Sequence, residues 1–176
     1  LRREEVDLVG LLVDTVADAR AAGPDHDWQL DLAVLEPPAD ATPQEAEDFL
    51  PEPPLVIGDE ARLRQVVVNL LANARVHTPA GSHVTTTLAR EGDTLIVRIH
   101  DDGPGIAPDV RDRLFERFAR GDSSRERRTG STGLGMSIAL AIVQSHGGSI
   151  DVASSTAPED HGTTFSVRLP AAVVEE

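Results

Sequence analysis

Apolar positions along this chain fall into two rhythms, and the change from one to the other marks the elements. Leu12, Val13, Val16 and Ala17 have helical spacing, and Gly23-Pro24 stops them. Trp28, Leu30 and Leu32 then alternate as in a strand, the lone Trp reading as packing. Residues 37–54, rich in Pro, Ala and acids, predict an exposed loop. A long helix follows, with Asp59 as N-cap and Thr78-Pro79-Ala80-Gly81 as its stop. Its apolar stripe is Leu63, Val66, Val67, Leu70, Leu71 and Ala74. Two strands, 84–90 and 94–100, are joined by Glu91-Gly92-Asp93 as a hairpin, with Leu95, Val97 and Ile99 on one face. Residues 110–118 read as a short helix and 134–146 as a strongly apolar one stopped by Gly147-Gly148. Two closing strands, 149–154 and 163–169, turn Ile150, Val152, Phe165, Val167 and Leu169 to the core.

Three stretches do not fit the needs of packing. On the long helix Gln65, Asn69, Asn73 and His77 form a polar stripe spaced by four. Asn is a mediocre residue inside a helix, costing several tenths of a kcal/mol against Ala. The stripe is a solvated face, an internal hydrogen-bonding face, or a set of amide oxygens for a hard cation. The second stretch is Asp101-Asp102-Gly103-Pro104-Gly105-Ile106, which ends a strand. It is either a surface turn or a place where glycines let a ligand approach the backbone beside a carboxylate. The third, Gly130-Ser131-Thr132-Gly133-Leu134-Gly135, opens a helix. Free N–H groups at the positive end of a helix suit phosphate. Before it, residues 121–130 have almost nothing to bury and are expected to be mobile.

Composition narrows the classes. The 176 residues suit one domain, expected to span 1–176. No apolar run is long enough for a membrane helix, no segment of the chain is expected to be a signal peptide, and the absence of Cys excludes disulfides and thiolate metal sites. A net charge of -14 argues against general nucleic-acid binding. All 16 Lys-or-Arg positions are Arg, and Arg111, Arg113, Arg117, Arg120, Arg125, Arg127 and Arg128 crowd together. A basic island in an acidic chain suggests a small anionic ligand, or else a solvated loop.

In order, the segments NLLANARVHTP, DDGPGI, RLFERFAR, GSTGLGMSIA and HGTTF resemble the asparagine, glycine and phenylalanine boxes of the catalytic ATP-binding domain of sensor histidine kinases. The resemblance implies an α+β fold, the two-layer α/β sandwich known as the Bergerat fold. In it a mixed, mostly antiparallel sheet carries helices on one face and a mobile ATP lid, here 119–132. It implies ATP and Mg2+ as cofactors. Asp101, beside Gly103, Gly105 and Ile106, would take the adenine, with Thr163 close by through water and His77 lying against the ring. Asn73 would ligate Mg2+. Arg120 would reach the terminal phosphate, and Thr132, Gly133, Leu134, Gly135 and Met136 would hold the phosphates. Asn69, a candidate for both catalysis and nucleotide binding, stands where ATP-hydrolysing clamps of the gyrase and chaperone kind carry a Glu base. Two positions depart from the family pattern: Val76 where Lys or Arg is usual, and Asp160 where a Gly is usual.

The function implied is transfer of the γ-phosphoryl of Mg-ATP to a His on a separate phosphoacceptor domain, in two-component signalling with a response regulator. The alternatives are an ATP-hydrolysing clamp and a non-catalytic nucleotide-binding module. None of the six His sits in a phosphoacceptor helix, so the chain is expected to be a fragment lacking its dimerisation and phosphoacceptor domain. The fragment is expected to be monomeric and cytoplasmic, and its parent a homodimeric membrane sensor. No nucleic acid is expected as a partner.

Overall fold

The computed structural model describes residues 1–110 and 133–173, with side chains from 135 onward in the second stretch. The chain opens with β1 (Glu4–Asp7) and α1 (Leu8–Ala22), capped by Asp7, whose Oδ1 accepts from Val9 N at 2.9 Å. Next come β2 (Asp27–Asp31) and a single 3-10 turn, Ala33–Leu35. Residues 37–54 are interrupted by a short helix, α2 (Pro43–Glu47). There Thr42 and Glu45 cap each other reciprocally, a pattern legible as Thr-Pro-Gln-Glu in the sequence. β3 (Leu55–Gly58), α3 (Glu60–His77), β4 (His83–Glu91) and β5 (Thr94–Asp101) follow. After the undescribed stretch come α4 (Gly133–Ser145), β6 (Ser149–Ser155) and β7 (Gly162–Pro170).

The principal sheet has five strands in the order β2-β4-β5-β7-β6. Only β2 and β4 run parallel; the other neighbours are antiparallel, and β1 pairs with β3 in a separate two-stranded sheet. This is the mixed sheet with helices on one face that the sequence led us to expect. α3 packs against α1 on one side and α4 on the other. Its predicted stripe is buried throughout, from Leu63 to Ala74. Each Leu or Val of the stripe contributes roughly 1.5–3 kcal/mol, so this face is a main anchor of the helix layer. Asp59 caps α3 as predicted, accepting from Arg62 N at 3.3 Å. Across the layer, His146 accepts from Asp59 N at 3.0 Å and ties the end of α4 to the start of α3.

Two details of the hydrophobic pattern were displaced. The buried face of α1 is Leu8, Leu11, Leu12, Thr15 and Val16, while Val13 is 45% exposed and Ala17 is exposed. The helix begins earlier than its first clear repeat, which rotates the stripe by one position. Thr15 takes a core place because its hydroxyl donates back to Leu11 O at 2.9 Å. In β5, Ile96 is buried as well, although it faces away from Leu95, Val97 and Ile99. Trp28 is buried packing, as expected, with its indole N–H donating to Gly23 O at 2.7 Å. Among the described residues no helix is long and apolar enough to cross a membrane.

Candidate functional site

Strand register builds the site. Val84 pairs with Asp101, Asp101 with Thr163, and Thr163 with Ser154, so one row crosses β4, β5, β7 and β6. Because side chains alternate across a sheet, this row shares the face that meets the helices. β5 runs one residue further than the sequence suggested and delivers Asp101 at its end. From the helix layer α3 brings Asn73 and His77 over the same point. Together Asn73, His77, Asp101, Gly105, Ile106 and Thr163 line a cavity of about 370 Å3, closed further by Pro104, Ala107 and Val110.

Asp101 is 7% exposed, and Gly103 N donates to its Oδ1 at 3.0 Å. Burial pushes its pKa up, against the pull of that hydrogen bond. A carboxyl group held in a cavity at some cost is one that a ligand's N–H can relieve. Asp102, next in sequence, is differently employed. Burial pushes it up, but hydrogen bonds from the backbone and ring of His83 prevail and hold its pKa low. His83 N donates to Oδ1 at 2.7 Å, and Nδ1 lies 2.8 Å from Oδ2.

The glycines of this turn answer to space. A Cβ on Gly103 would lie 2.5 Å from the Thr78 methyl carbon. Gly105 has φ of 81°, and a Cβ there would lie 2.1 Å from Ser155 O. The turn therefore lies flat against the β6–β7 connection, which only glycine permits. His161 Nδ1 is 2.6 Å from Gly103 O and braces the turn from the far side.

Some predicted residues stand elsewhere. Asn69 does not line this cavity but lies at the expected phosphate end: its side-chain N–H donates to Gly135 O at 3.2 Å and joins α3 to the first turn of α4. Met136 is 1% exposed and packs in the core, so only its backbone could face a phosphate. Gly133, Leu134 and Gly135 form the start of α4, where the glycine run was expected to open a helix. Arg120, Thr132, the 119–132 lid and the 110–118 helix beyond its first residue lie outside the described residues. Val76, the departure from the family's basic residue, is exposed, and Arg75 is packed beside Gly23 and Trp28, away from the cavity. Sequence reading missed Ser154, although it continues the Ile150, Val152 alternation to the same face. It also missed Ala107 and Val110, which carry no chemistry to flag them.

A larger cleft of about 600 Å3 lies between residues 33–39 and 49–52, lined by side chains such as Val34, Pro37, Phe49 and Leu50. It contains no predicted site residue and no buried acid. The smaller cavity is the candidate site, since it joins a buried carboxyl, an amide and a hydroxyl among the described residues.

Residues 58–173 match the family model described as "Histidine kinase-, DNA gyrase B-, and HSP90-like ATPase". The chain is 48% identical over 170 residues to the "Probable sensor histidine kinase TcrY" of Mycobacterium tuberculosis, covering 97% of this chain and 31% of that protein. It thus spans under a third of that relative's length. Among solved structures, the mycobacterial sensor histidine kinase MprB superposes with a TM-score of 0.72 at 27% identity, covering 98% of this chain and 99% of that one. The ATP-binding domain of PrrB from Mycobacterium tuberculosis gives 0.68 at 25% identity, covering 98% and 100%.

Proposed function

This chain belongs to the histidine kinase-, DNA gyrase B- and HSP90-like ATPase family, as a catalytic ATP-binding domain of the sensor histidine kinase kind, and from that premise we propose how its residues work. ATP enters the cavity below α3, with its adenine amino group donating to Asp101. The observation that carries this reading is the cavity itself. A buried acceptor, Asp101, lies among Thr163, Ile106 and Gly105, under an amide and an imidazole from one helix.

The donor set suits Mg2+. Asn73 offers one neutral oxygen at the cavity wall, and among the described residues no three His, Asp or Glu side chains gather as a protein-only cage. Mg2+ ordinarily binds through one or two protein oxygens, with phosphate oxygens and waters completing its shell. When bound it neutralises phosphate charge. The chain's own contribution is placement: Asn73 beside the phosphates, the start of α4 donating backbone N–H groups, and Arg120 stabilising charge on the transferred group. The acceptor is a His on a separate domain of the parent protein, which would then pass the phosphoryl group to a response regulator. The parent is a dimeric membrane sensor.

Asn at position 69, turned to Gly135 O, weighs against the ATP-hydrolysing clamp, which needs a carboxylate base there. Calorimetric titration with ATP, with and without Mg2+, tests the reading. The intact chain should bind ATP more tightly with Mg2+, and Asn73→Ala should lose most of that gain. With its parent's phosphoacceptor domain added, labelled ATP should mark a His on that domain. Absence of ATP binding, or label on the chain itself, would sink the proposal.

A further inference from the structure

The hydroxyl of Ser154 occupies a junction that the site's recognised motifs leave out. Ile106 N donates to Ser154 Oγ at 2.7 Å, Ser154 Oγ donates to Gly162 O at 3.0 Å, and Ser154 Oγ lies 2.8 Å from Thr163 Oγ1. Two of these contacts have fixed polarity, because a backbone N–H only donates and a carbonyl only accepts. We place the one proton of Ser154 toward Gly162 O, the arrangement that satisfies all three contacts at once. The contact to Thr163 must then run the other way, with the Thr163 hydroxyl donating to Ser154. Every lone pair and proton of Ser154 is used, and Thr163 has spent its only proton.

Thr163 lines the cavity beside Asp101, its cross-strand partner. With its proton turned back to Ser154, Thr163 presents only lone pairs to a ligand. The wall is then made of acceptors, a carboxylate and a hydroxyl oxygen side by side. In direct contact such a wall accepts the 6-amino group of adenine and meets the 6-oxo group of hypoxanthine or guanine with unmatched lone pairs.

We propose that Ser154 is a specificity-determining positioning residue: by holding the Thr163 hydroxyl as an acceptor, it makes the cavity discriminate 6-amino from 6-oxo purine nucleotides. The proposal rests on the nucleotide-binding reading above and adds the source of its selectivity. In Ser154→Ala, Thr163 loses its acceptor and can turn its proton into the cavity, where it satisfies a 6-oxo group. A purely structural loss would weaken all nucleotides alike.

The experiment compares ATP with ITP, which differ at position 6 of the purine, by calorimetric titration with the intact chain. Ser154→Ala should lower the ATP-to-ITP affinity ratio by about threefold to tenfold, the scale of one neutral hydrogen bond. Ser154→Thr, which keeps the hydroxyl, should retain the parent ratio. In a Thr163→Val background, Ser154→Ala should leave the ratio unchanged, because the group it orients is gone. A parent chain that prefers ATP while Ser154→Ala weakens both nucleotides equally overturns this proposal and spares the function. A parent chain that binds neither nucleotide overturns both.

Discussion

Asp101 and Asp102 are adjacent in the chain and serve opposite sides of the sheet's end. One carboxyl is buried against a cavity with its pKa raised, the other is held by His83 with its pKa lowered. The strand alternation that separates them also separates recognition from bracing.

For Asp101 the raised pKa fixes a sign. The folded state holds this proton more tightly than the unfolded chain, so ionisation of Asp101 costs stability as pH rises out of the ordinary carboxylate range. Asp101→Asn removes the charge and keeps an oxygen for Gly103 N–H. Without nucleotide, the variant should melt no lower than the parent at neutral pH, with any gain shrinking toward about pH 4. Its ATP affinity should nevertheless fall about tenfold to a hundredfold, the loss of one charge-assisted hydrogen bond. Thermal scans and calorimetry on the same samples check both halves.

The His83–Asp102 pair gives the reverse profile. Asp102, lowered, stabilises above its unfolded pKa and loses that contribution as pH falls through its folded value. His83, raised chiefly by its hydrogen bond to Asp102, stabilises below its unfolded pKa and loses this as pH rises through its folded value. The pair should therefore matter most between about pH 4 and 6.5. Asp102→Asn should lower the melting temperature more at pH 6 than at pH 8. An equal drop at both would show that His83 contributes no charge.

Asn69 binds the carbonyl of Gly135 through its N–H, so the polarity of the contact is testable. Asn69→Asp places an oxygen against a carbonyl oxygen and should cost about 1–3 kcal/mol in urea denaturation. Asn69→Glu puts a carboxylate beside Gly135, at the helix start proposed to hold the phosphates, and should create slow ATP hydrolysis. A phosphate-release assay reads that outcome directly.

Gly105→Ala meets two obstacles, a positive φ and a Cβ 2.1 Å from Ser155 O. The backbone conformation alone costs roughly 1–2 kcal/mol for a residue with a side chain. The clash adds to it by pushing the turn off β6. ATP binding should drop sharply, even in protein that remains folded by circular dichroism, because Gly105 and Ile106 move together.

Much of this was legible in the sequence, for reasons that differ by residue. The α3 stripe could be read because a helix sandwiched by two others must repeat strictly, and all six of its members are buried. The face of α1 could not, because Thr15 is a core residue only through a bond to its own backbone. Asp101, Asn73 and Thr163 were found from their motifs, since their chemistry is rare at such positions. Ser154 was not, because a Ser near the end of a strand looks like a turn. Its role depends on which residue faces it across β7, and that is fixed by register. Asn69 was placed in the site by motif, yet its partner at Gly135 is set by how α3 and α4 pack.

The row that joins Asp101, Thr163 and Ser154 also makes the nucleotide a judge of strand register. A slip of one residue in β7 or β6 turns every side chain of that strand to the opposite face. Thr163 would then leave the cavity wall, or Ser154 its place behind Thr163, to be replaced by a neighbour without the matching group. Only the correctly paired sheet can bind, and binding adds stability to that arrangement alone. At a hundred times its dissociation constant, a nucleotide contributes about 2.7 kcal/mol to the form it recognises. A chain that assembled β6 and β7 out of step would gain none of it. ATP, abundant wherever such a domain is made, would draw the misaligned population back through unfolding to the one alignment that holds it.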